Sequence, residues 1–387
     1  MRPLRLAIVT RRFWPLVGGP EKVLANLAGE LFRRGLAVTI LTAQWQPTWP
    51  SELRFQDVPV YRFSPPPQDR WTTIQYMRSL ALWLRSRLDG LDLVYVSQLR
   101  HEAYSALRAV RGALPVVLRA EHVGRYGDCL WQIDAPCGRR IKRECVKAAA
   151  FAAPTIAAQR ELEAAGYPRQ RIKYVPNGVP IPPPRTPQSQ AAARAVLAET
   201  HPALVLPERA FLAVCIDRFQ SGEALDKLLA AWGPIVRNLP HARLWLAGPA
   251  TEPSAIQSRI DAAKLTGRVI WTGVFDRVDE LLAAADLLVA PAPAGSPVAL
   301  TEAMAAGLPI VAVDGAANRS VLTDGQQGLL VAGNDAAALL TAIARLYKEP
   351  DLAVRLGNAA RARAEAEFSL ARMADQHVTW FEQLVRK

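Results

Sequence analysis

Two adjacent glycines near the N-terminus have the setting of a phosphate or sugar site. Gly18 and Gly19 follow a short apolar run and precede a helical pattern over residues 21–34. A turn without side chains lets the backbone approach a ligand closely, and the N–H groups that begin the next helix point towards an anion. The same pair is also compatible with an ordinary tight turn, so both interpretations stay open from these residues alone.

A single histidine ends another apolar run, in the stretch LPVVLRAEHVG. His122 follows Glu121 there, and an imidazole beside a carboxylate could polarise a substrate hydroxyl near neutral pH. A lone histidine at the end of a strand can equally have a structural role. We therefore treat His122 as a candidate for a ligand site, with the structural alternative left open.

These candidate residues lie among alternating apolar strands and amphipathic helices. This alternation is typical of parallel, doubly wound α/β sheets, which bind ligands outside the carboxyl ends of their strands. The stretch PNGVPIPPPRTP, residues 176–187, divides the pattern, because proline fits neither a helix interior nor a central strand. We predict two Rossmann-like domains facing a cleft. The predicted strands are 4–9, 37–41, 91–96, 115–118, 154–157 and 172–175, then 211–216, 242–247, 268–271, 287–290 and 309–313.

Composition limits the classes of partner. The chain has 387 residues, of which 50% are hydrophobic and 21% charged, and its net charge is +12. This is a globular composition without an apolar run long enough to span a membrane, and the positive charge indicates an anionic partner. Nucleic acid is disfavoured because no aromatic or zinc-finger pattern accompanies the basic residues. The four cysteines form no CxxC pair and no metal-ligand cluster, so we expect reduced thiols, no metal site and a cytoplasmic protein.

Several longer stretches, taken in order, resemble the family 4 glycosyltransferases, which have the GT-B fold. The resemblance runs from the first strand to the last helix, and the stretch around Glu302 is its most specific part. Besides the strand ending in His122, it rests on VGGPEKVLANLAGELFRRGLAVTILTA, APTIAAQRELEAAGYPRQRIKYVPNGVPI and LTEAMAAGLPIVA.

The resemblance implies a retaining transferase that needs neither a metal nor a separate cofactor. Its donor would be a nucleoside-diphosphate sugar bound by the C-terminal domain, and its acceptor a glycan or a lipid-linked glycan on the N-terminal domain. The implied parts are an acceptor domain over residues 1–180, a proline-rich linker over 181–207, a donor domain over 208–365, and a C-terminal helix, 366–387, that crosses back to the first domain.

The resemblance also assigns roles to individual residues. Gly18 and Gly19 would contact the donor phosphates or sugar. His122 and Arg218 would be the catalytic residues, the first at the transferred sugar and the second at the diphosphate. Glu302 would bind the ribose. The donor loop would comprise Ala294, Gly295, Ser296 and Pro297.

Two single positions and one short stretch depart from the family pattern. Glu223 replaces the lysine expected after Arg218, and Ala294 replaces the first glutamate of the donor pair. The following glycine-rich stretch becomes AANRS, residues 316–320. A carboxylate near a diphosphate repels it, and the glutamate missing at position 294 forfeits hydrogen bonds typically worth about 1.5–3 kcal/mol.

Lys227, which lies at i+4 from Glu223, and Arg319 could compensate for these changes. The alternative is an ordinary surface ion pair and a solvated arginine. Two rival functions therefore remain beside transfer. One is a degenerate homologue that binds a nucleotide or glycan, or acts as a scaffold. The other is an epimerase or hydrolase, which would need a carboxylate set that this sequence lacks.

The segment RWTTIQYMRSLALWLRSRL, residues 70–88, predicts a basic amphipathic helix with tryptophans. Such a helix can lie on an anionic membrane surface, here the inner face. A helix that merely covers the sheet would show the same pattern, so peripheral membrane contact stays an alternative.

Overall fold

The structure is a computed structural model that describes residues 2–16, 18–124, 127–219, 222–250, 252–275, 278–293, 297–333 and 335–386. The chain divides into two compact units. Unit 1 comprises Met1–Gly178 and Leu370–Lys387, and unit 2 comprises Val179–Ser369. Among the described helices, none is both long enough and apolar enough to cross a membrane.

Unit 1 is built on a buried, mainly parallel sheet with the strand order β3-β4-β2-β1-β5-β6-β7-β8. Its strands are β1 (Arg5–Val9), β2 (Ala37–Ala43), β3 (Glu52–Phe55), β4 (Val58–Phe63), β5 (Leu93–Ser97), β6 (Val116–Arg119), β7 (Ala150–Ala153) and β8 (Ile172–Tyr174). Only β3, at the edge, runs antiparallel to its neighbour among the described strands. Because β2 lies on one side of β1 and β5 on the other, the winding reverses between β1 and β5.

The helices of unit 1 begin mostly at the carboxyl ends of its strands. They are α1 (Gly19–Arg33), α2 (Arg70–Arg85), α3 (His101–Val110), α4 (Asp128–Asp134), α5 (Gly138–Cys145) and α6 (Ile156–Ala164). Asp69 and Thr72 form a reciprocal capping box at the start of α2, which satisfies N–H groups that the helix itself leaves unpaired.

Unit 2 is a second parallel sheet, with the strand order β11-β10-β9-β12-β13-β14. Its strands are β9 (Phe211–Ile216), β10 (Ala242–Ala247), β11 (Val269–Gly273), β12 (Leu287–Ala290), β13 (Ile310–Val313) and β14 (Leu329–Val331). Its helices are α7 (Pro187–Thr200), α8 (Gly222–Asn238), α9 (Pro253–Ala262), α10 (Asp279–Ala284), α11 (Pro297–Ala305), α12 (Ala316–Arg319), α13 (Ala336–Lys348) and α14 (Pro350–Glu367). The prediction of two doubly wound α/β units is confirmed.

Some local boundaries differ from the sequence-based expectation. The strand expected at 154–157 is β7, four residues earlier, because the Thr155 hydroxyl accepts from the Ala158 N–H and starts α6 there. The region expected as linker, 181–207, contains α7. Thr186 and Ser189 form a capping box at its start, and Pro187 fits the first helical position, where no N–H is needed.

The last helix, α15 (Leu370–Val385), belongs to unit 1 although it follows unit 2 in sequence. The helical pattern is interrupted just before it, where the Phe368 carbonyl accepts a hydrogen bond from the Val179 N–H at 2.8 Å. Arg34 of α1 donates to the Ala371 carbonyl at 2.9 Å, and the ring of Phe381 packs edge-on against Tyr95 of β5. The return of this helix agrees with the resemblance.

Candidate functional site

Arg218 lies just beyond the carboxyl end of β9, the strand on which unit 2 reverses its winding. Its side chain is exposed, and its backbone N–H donates to the Asp217 carboxylate at 2.7 Å. Burial raises the pKa of Asp217, while the bond from Arg218 acts in the opposite direction. The structure therefore places Arg218 at the edge of the sheet where an open α/β domain binds its ligand.

A second arginine, which the sequence analysis missed, lies at the beginning of α8. A Cβ added to Gly222 would overlap the guanidinium group of Arg259, so this group packs directly against the first residue of the helix. The Asp226 carboxylate holds Arg259 there through an ion pair. No local motif could reveal this contact, because Arg259 comes from α9, far along the chain.

The two compensating cations have partners of their own. Lys227 Nζ lies 2.7 Å from Glu223 Oε1, and the Glu223 side chain is 78% exposed. Arg319 forms a two-pronged ion pair with Asp314, just after β13. These contacts match the alternative of ordinary surface ion pairs more closely than a restored donor site.

Glu302 lies on α11 and lines a small pocket in unit 2. Asp279, at the start of α10, lines the same pocket and brings a second carboxylate that the sequence analysis did not identify. The described lining residues are Pro180, Pro182, Asp279, Leu282, Glu302 and Ala306. Arg218 is not among these described lining residues, so the pocket does not bring the two predicted donor residues together.

The predicted donor loop is only partly described. Ala294, Gly295 and Ser296 lie outside the described residues, whereas Pro297 is the first residue of α11. The backbone of Gly315 approaches the Pro293 carbonyl so closely that a side chain at position 315 would overlap it. This contact joins the residues before α11 to those before α12.

In unit 1, the turn at Gly18 is covered by a carboxylate of the protein itself. A Cβ on Gly18 would overlap the Glu21 carboxylate, and Glu21 lies 3.2 Å from Arg12 Nε. Gly19 is the first residue of α1. The helix start predicted to receive donor phosphates thus carries an internal anion, which would have to move for a ligand phosphate to take its position.

His122 follows β6 and is partly buried. Its neighbour Glu121 has hydrogen-bond partners on β5 and β6. The Glu121 carboxylate accepts from Arg119 Nε at 2.7 Å and from Ser97 Oγ at 2.8 Å, and its side chain is only 2% exposed. Burial raises the pKa of Glu121, against the lowering effect of Arg119. These partners give Glu121 a structural role, and its expected part in polarising a hydroxyl at His122 stays a prediction.

Arg119 connects this strand to the chain that leads into unit 2. Its guanidinium is fully buried and also donates to the side chain of Asn177, within the Asn-Gly-Val stretch. A buried guanidinium with a buried carboxylate partner is costly to form and costly to break on one side only. The pair thus fixes the segment that carries His122.

In the part of the chain that the structure describes, we find no disulfide and no metal site. All four cysteines are free thiols, and burial raises the pKa of Cys129 to about 12. Within the described ranges, no group of three or more histidine, cysteine or acidic side chains is arranged to hold a metal ion.

Two family profiles match the chain in sequence order. Residues 17–181 match the family described as Glycosyltransferase Family 4, and residues 210–349 match the family described as Glycosyl transferases group 1. The first match falls almost wholly in unit 1 and the second in unit 2.

Similar curated proteins include bacterial glycosyltransferases. The D-inositol 3-phosphate glycosyltransferase of Nocardia farcinica is 29% identical over 97% of this chain and 88% of its own length. The putative glycosyltransferase EpsD of Bacillus subtilis is 30% identical over 39% of either chain. The chain spans only 39% to 54% of the length of EpsD and two further relatives.

Solved structures with similar folds cover the whole chain. Sucrose-phosphate synthase from Thermosynechococcus elongatus superposes with a TM-score of 0.80 at 19% identity, over 99% of both chains. Anabaena HepE, in complex with UDP and glucose, superposes with a TM-score of 0.78 at 18% identity, over 98% of this chain and 100% of its own. Both likenesses identify the fold, which is GT-B.

Proposed function

The chain belongs to the family 4 glycosyltransferases, and on that basis we propose that it transfers a sugar from a nucleoside-diphosphate sugar to a glycan or lipid-linked acceptor. The reaction would retain the anomeric configuration. The observation that carries the proposal is the ordered match of the two family profiles to the two units. Unit 2 would bind the donor and unit 1 the acceptor.

The departing diphosphate needs positive charge in a fixed position. Arg218 supplies one guanidinium at the end of β9, and α8 begins beside it with its N–H groups unpaired by the helix. Arg259, packed against Gly222, would supply a second cation close to where the family has a lysine and this chain has Glu223. Such preorganised charge stabilises the leaving group as the glycosidic bond breaks.

The carboxylate of Glu302, in the small pocket of unit 2, would bind the ribose hydroxyls. Carboxylates are good acceptors for paired hydroxyl groups, and Glu302 and Asp279 line this pocket together. We assign ribose recognition to Glu302, as the resemblance implies, and a supporting role to Asp279. Pro297, at the start of α11, would help to place the loop on the sugar side.

A second candidate function is nucleotide or glycan binding without turnover. The observation that favours it is the engagement of both compensating cations, since Lys227 pairs with Glu223 and Arg319 with Asp314. Their charge is therefore already partly neutralised before any donor arrives. Arg259 is paired as well, with Asp226, so turnover of a sugar conjugate is what separates the two candidates.

Calorimetric titration with UDP, GDP, ADP and their sugar conjugates tests the proposal. UDP conjugates come first, because the HepE structures contain UDP and UDP-glucose. We expect one nucleotide to bind and Glu302→Ala to weaken it by about 10-fold or more, the loss of a hydrogen bond to a charged group. Release of free nucleotide in the presence of acceptor glycans would then demonstrate transfer.

Each outcome of this titration has a distinct meaning. Tighter binding of a sugar conjugate than of the bare nucleotide supports transfer. Binding of the bare nucleotide alone supports the non-catalytic candidate. If the wild-type chain binds none of the nucleotides, both assignments to unit 2 are wrong.

The exposed face of α2 supports peripheral contact with an anionic membrane. Trp71 is 67% exposed, Ile74 48% and Leu82 54%, and they share one face with the exposed side chains of Arg70 and Arg78. The helix contains no acidic residue. A face that combines bare apolar side chains with unopposed arginines suits a lipid surface better than water.

Vesicle co-sedimentation tests this contact. We expect the protein to bind vesicles that contain phosphatidylglycerol more strongly than pure phosphatidylcholine vesicles, and the double variant Trp71→Ser/Leu82→Ser to lose most of that binding. Ile133→Ser, which removes an equally exposed side chain from α4, is the matched control. Equal losses in both variants would argue against a docking face on α2.

A further inference from the structure

A buried polar cluster in unit 1 is not used by the proposed donor site. Both carboxylate oxygens of Glu102 and the hydroxyl of Tyr76 are buried and have no hydrogen-bond partner among the described residues. Glu102 lies in the first turn of α3 and is 0% exposed, and Tyr76 lies on the adjacent α2. A buried carboxylate without hydrogen-bond donors costs folding free energy, so its presence calls for a counter-charge or a function.

Arg11 supplies this counter-charge through a Coulomb interaction with Glu102 and not through a hydrogen bond. Its Nε lies 3.9 Å from Glu102 Oε1, which is beyond hydrogen-bond distance, and its Nη2 donates to the Pro67 carbonyl at 2.6 Å. The side chain is still 24% exposed. The buried Glu102 carboxylate and the Pro67 carbonyl thus fix the guanidinium of Arg11, while part of the side chain stays accessible to solvent.

Two neighbouring arginines, Arg12 and Arg100, are each closely paired with a carboxylate of the protein. Arg100 Nε donates to the Asp128 carboxylate at 2.8 Å, and Arg12 Nε lies 3.2 Å from Glu21. Both of these cations have closely placed anions of their own. At this edge of the sheet, Arg11 is therefore the arginine with the geometry to take an external anion.

The position of Arg11 in the fold is the one where open α/β sheets bind ligands. Arg11 follows β1 and Glu102 begins α3 directly after β5, and these two parallel strands are neighbours at the reversal of winding. Guanidinium groups bind phosphates and carboxylates through paired, charge-assisted hydrogen bonds. The cluster therefore has both the location and the chemistry of an anion site.

We propose that the acceptor carries a phosphate group that binds to Arg11, with Glu102 as the positioning residue that holds the guanidinium in place. This inference rests on the proposed transferase function, because it specifies the acceptor of that reaction. The anionic group is either that of a soluble sugar phosphate or that of a lipid head group. Pro67, which holds Arg11, leads into α2 and its exposed Trp71, so the site adjoins the face proposed to contact lipid.

Calorimetry with matched pairs of probes tests the assignment. The soluble pair is glucose 6-phosphate and glucose, and the lipid pair is dihexanoyl phosphatidic acid and dihexanoylglycerol, each as monomers with the bound nucleotide present. We expect the wild type to prefer the phosphorylated member of one pair, and that pair identifies the source of the anion. Arg11→Gln should reduce the preference by about 10- to 100-fold, as expected for a lost charge-assisted contact.

Variants separate recognition from folding. Arg11→Lys keeps the charge but loses the paired donors of the guanidinium, so it should retain part of the preference that Arg11→Gln loses. Arg33→Gln removes one positive charge, as Arg11→Gln does, but at the far end of α1, and should leave the preference unchanged. Glu102→Gln should lower the ratio of the two affinities within a pair, which a purely structural role would not alter. Thermal melts verify that each variant is folded.

Two results would overturn the inference. One is a wild type that binds nucleotide but does not discriminate within either pair, which leaves the transferase proposal standing. The other is an equal loss of preference in Arg11→Gln and Arg33→Gln. Failure of the wild type to bind any nucleotide is a separate result that counts against the proposed function itself.

Discussion

Mild acid should destabilise unit 1 through His377, a fully buried residue of α15. Its Nδ1 donates to the Met373 carbonyl at 2.8 Å, so its Nε2 accepts the hydrogen bond from the Tyr95 hydroxyl at 3.1 Å. This arrangement requires a neutral imidazole. Burial lowers the pKa of His377 from 6.5 to about 3.

The size of the effect depends on this difference in pKa. Below the ordinary histidine pKa, the unfolded chain binds a proton that the folded chain excludes, so the free energy of unfolding falls as the pH falls towards 3. Integrated from pH 7 to pH 5, the loss is about 2 kcal/mol; the full shift corresponds to at most about 5 kcal/mol. His101, whose pKa burial lowers to about 4, adds a similar loss at pH 5 that a substitution at His377 leaves in place.

The perturbation is His377→Gln, in which an amide replaces the titrating ring. Urea denaturation at pH 7 and pH 5 measures the stability of each protein, and hydrogen exchange of peptides from α15 and β5 assigns the change to unit 1. We expect the wild type to lose about 2 kcal/mol more than the variant between these pH values. His201→Gln, at an exposed position in unit 2, should behave like the wild type.

Equal losses in the wild type and in His377→Gln would refute this reasoning. That result would mean that the ring is protonated in the folded state or that its surroundings admit water. Faster exchange at low pH in β9 and β10 as well would place the acid-sensitive group outside unit 1.

Three further predictions concern the two sheets. Arg119→Met should lower the free energy of unfolding, measured by denaturation, by about 3–5 kcal/mol, because it leaves Glu121 buried without its partner. Adding Glu121→Gln should recover part of this loss. Strictly additive losses would contradict the pairing. Gly222→Ala should displace Arg259 and weaken nucleotide binding in calorimetry, while the melting temperature stays the same or rises. An unchanged affinity would show that Arg259 is not part of the donor site. Glu223→Lys should tighten nucleotide binding and steepen its dependence on salt, and a salt-independent affinity would show that position 223 lies away from the phosphates.

The order of elements could be predicted from the sequence because it depends on local patterns. Apolar runs of strand length and helical periodicity identified the central strands of both sheets, and the proline-rich stretch indicated the passage between units. The strands β3 and β4 and the edge strand β14 were not predicted, because they are short or only partly buried. The strand expected at 154–157 was misplaced because residues 154–157 are nearly as apolar as the run AFAA of β7, and only the cap at Thr155 marks the boundary.

For the candidate site, short motifs were sufficient to nominate Arg218, Glu302 and His122, whose roles stay predictions. They could not identify Asp279 or Arg259, because each reaches its place from a separate helix. The bonds from Arg119 and Ser97 to Glu121 could not be predicted either, since adjacency to His122 in sequence does not fix the direction of its side chain.

The sequence by itself determined the family, the two-unit α/β plan and the substitutions at Glu223 and Ala294, because these are matters of residue identity and spacing. The tertiary structure alone decided which charges from distant segments meet. Arg259 lies at the start of α8, and Glu102 is buried beneath Arg11, whereas the Lys227–Glu223 ion pair joins residues only four apart. The physical reason is that burial and Coulomb interactions depend on distances between side chains that the fold brings together from distant parts of the chain.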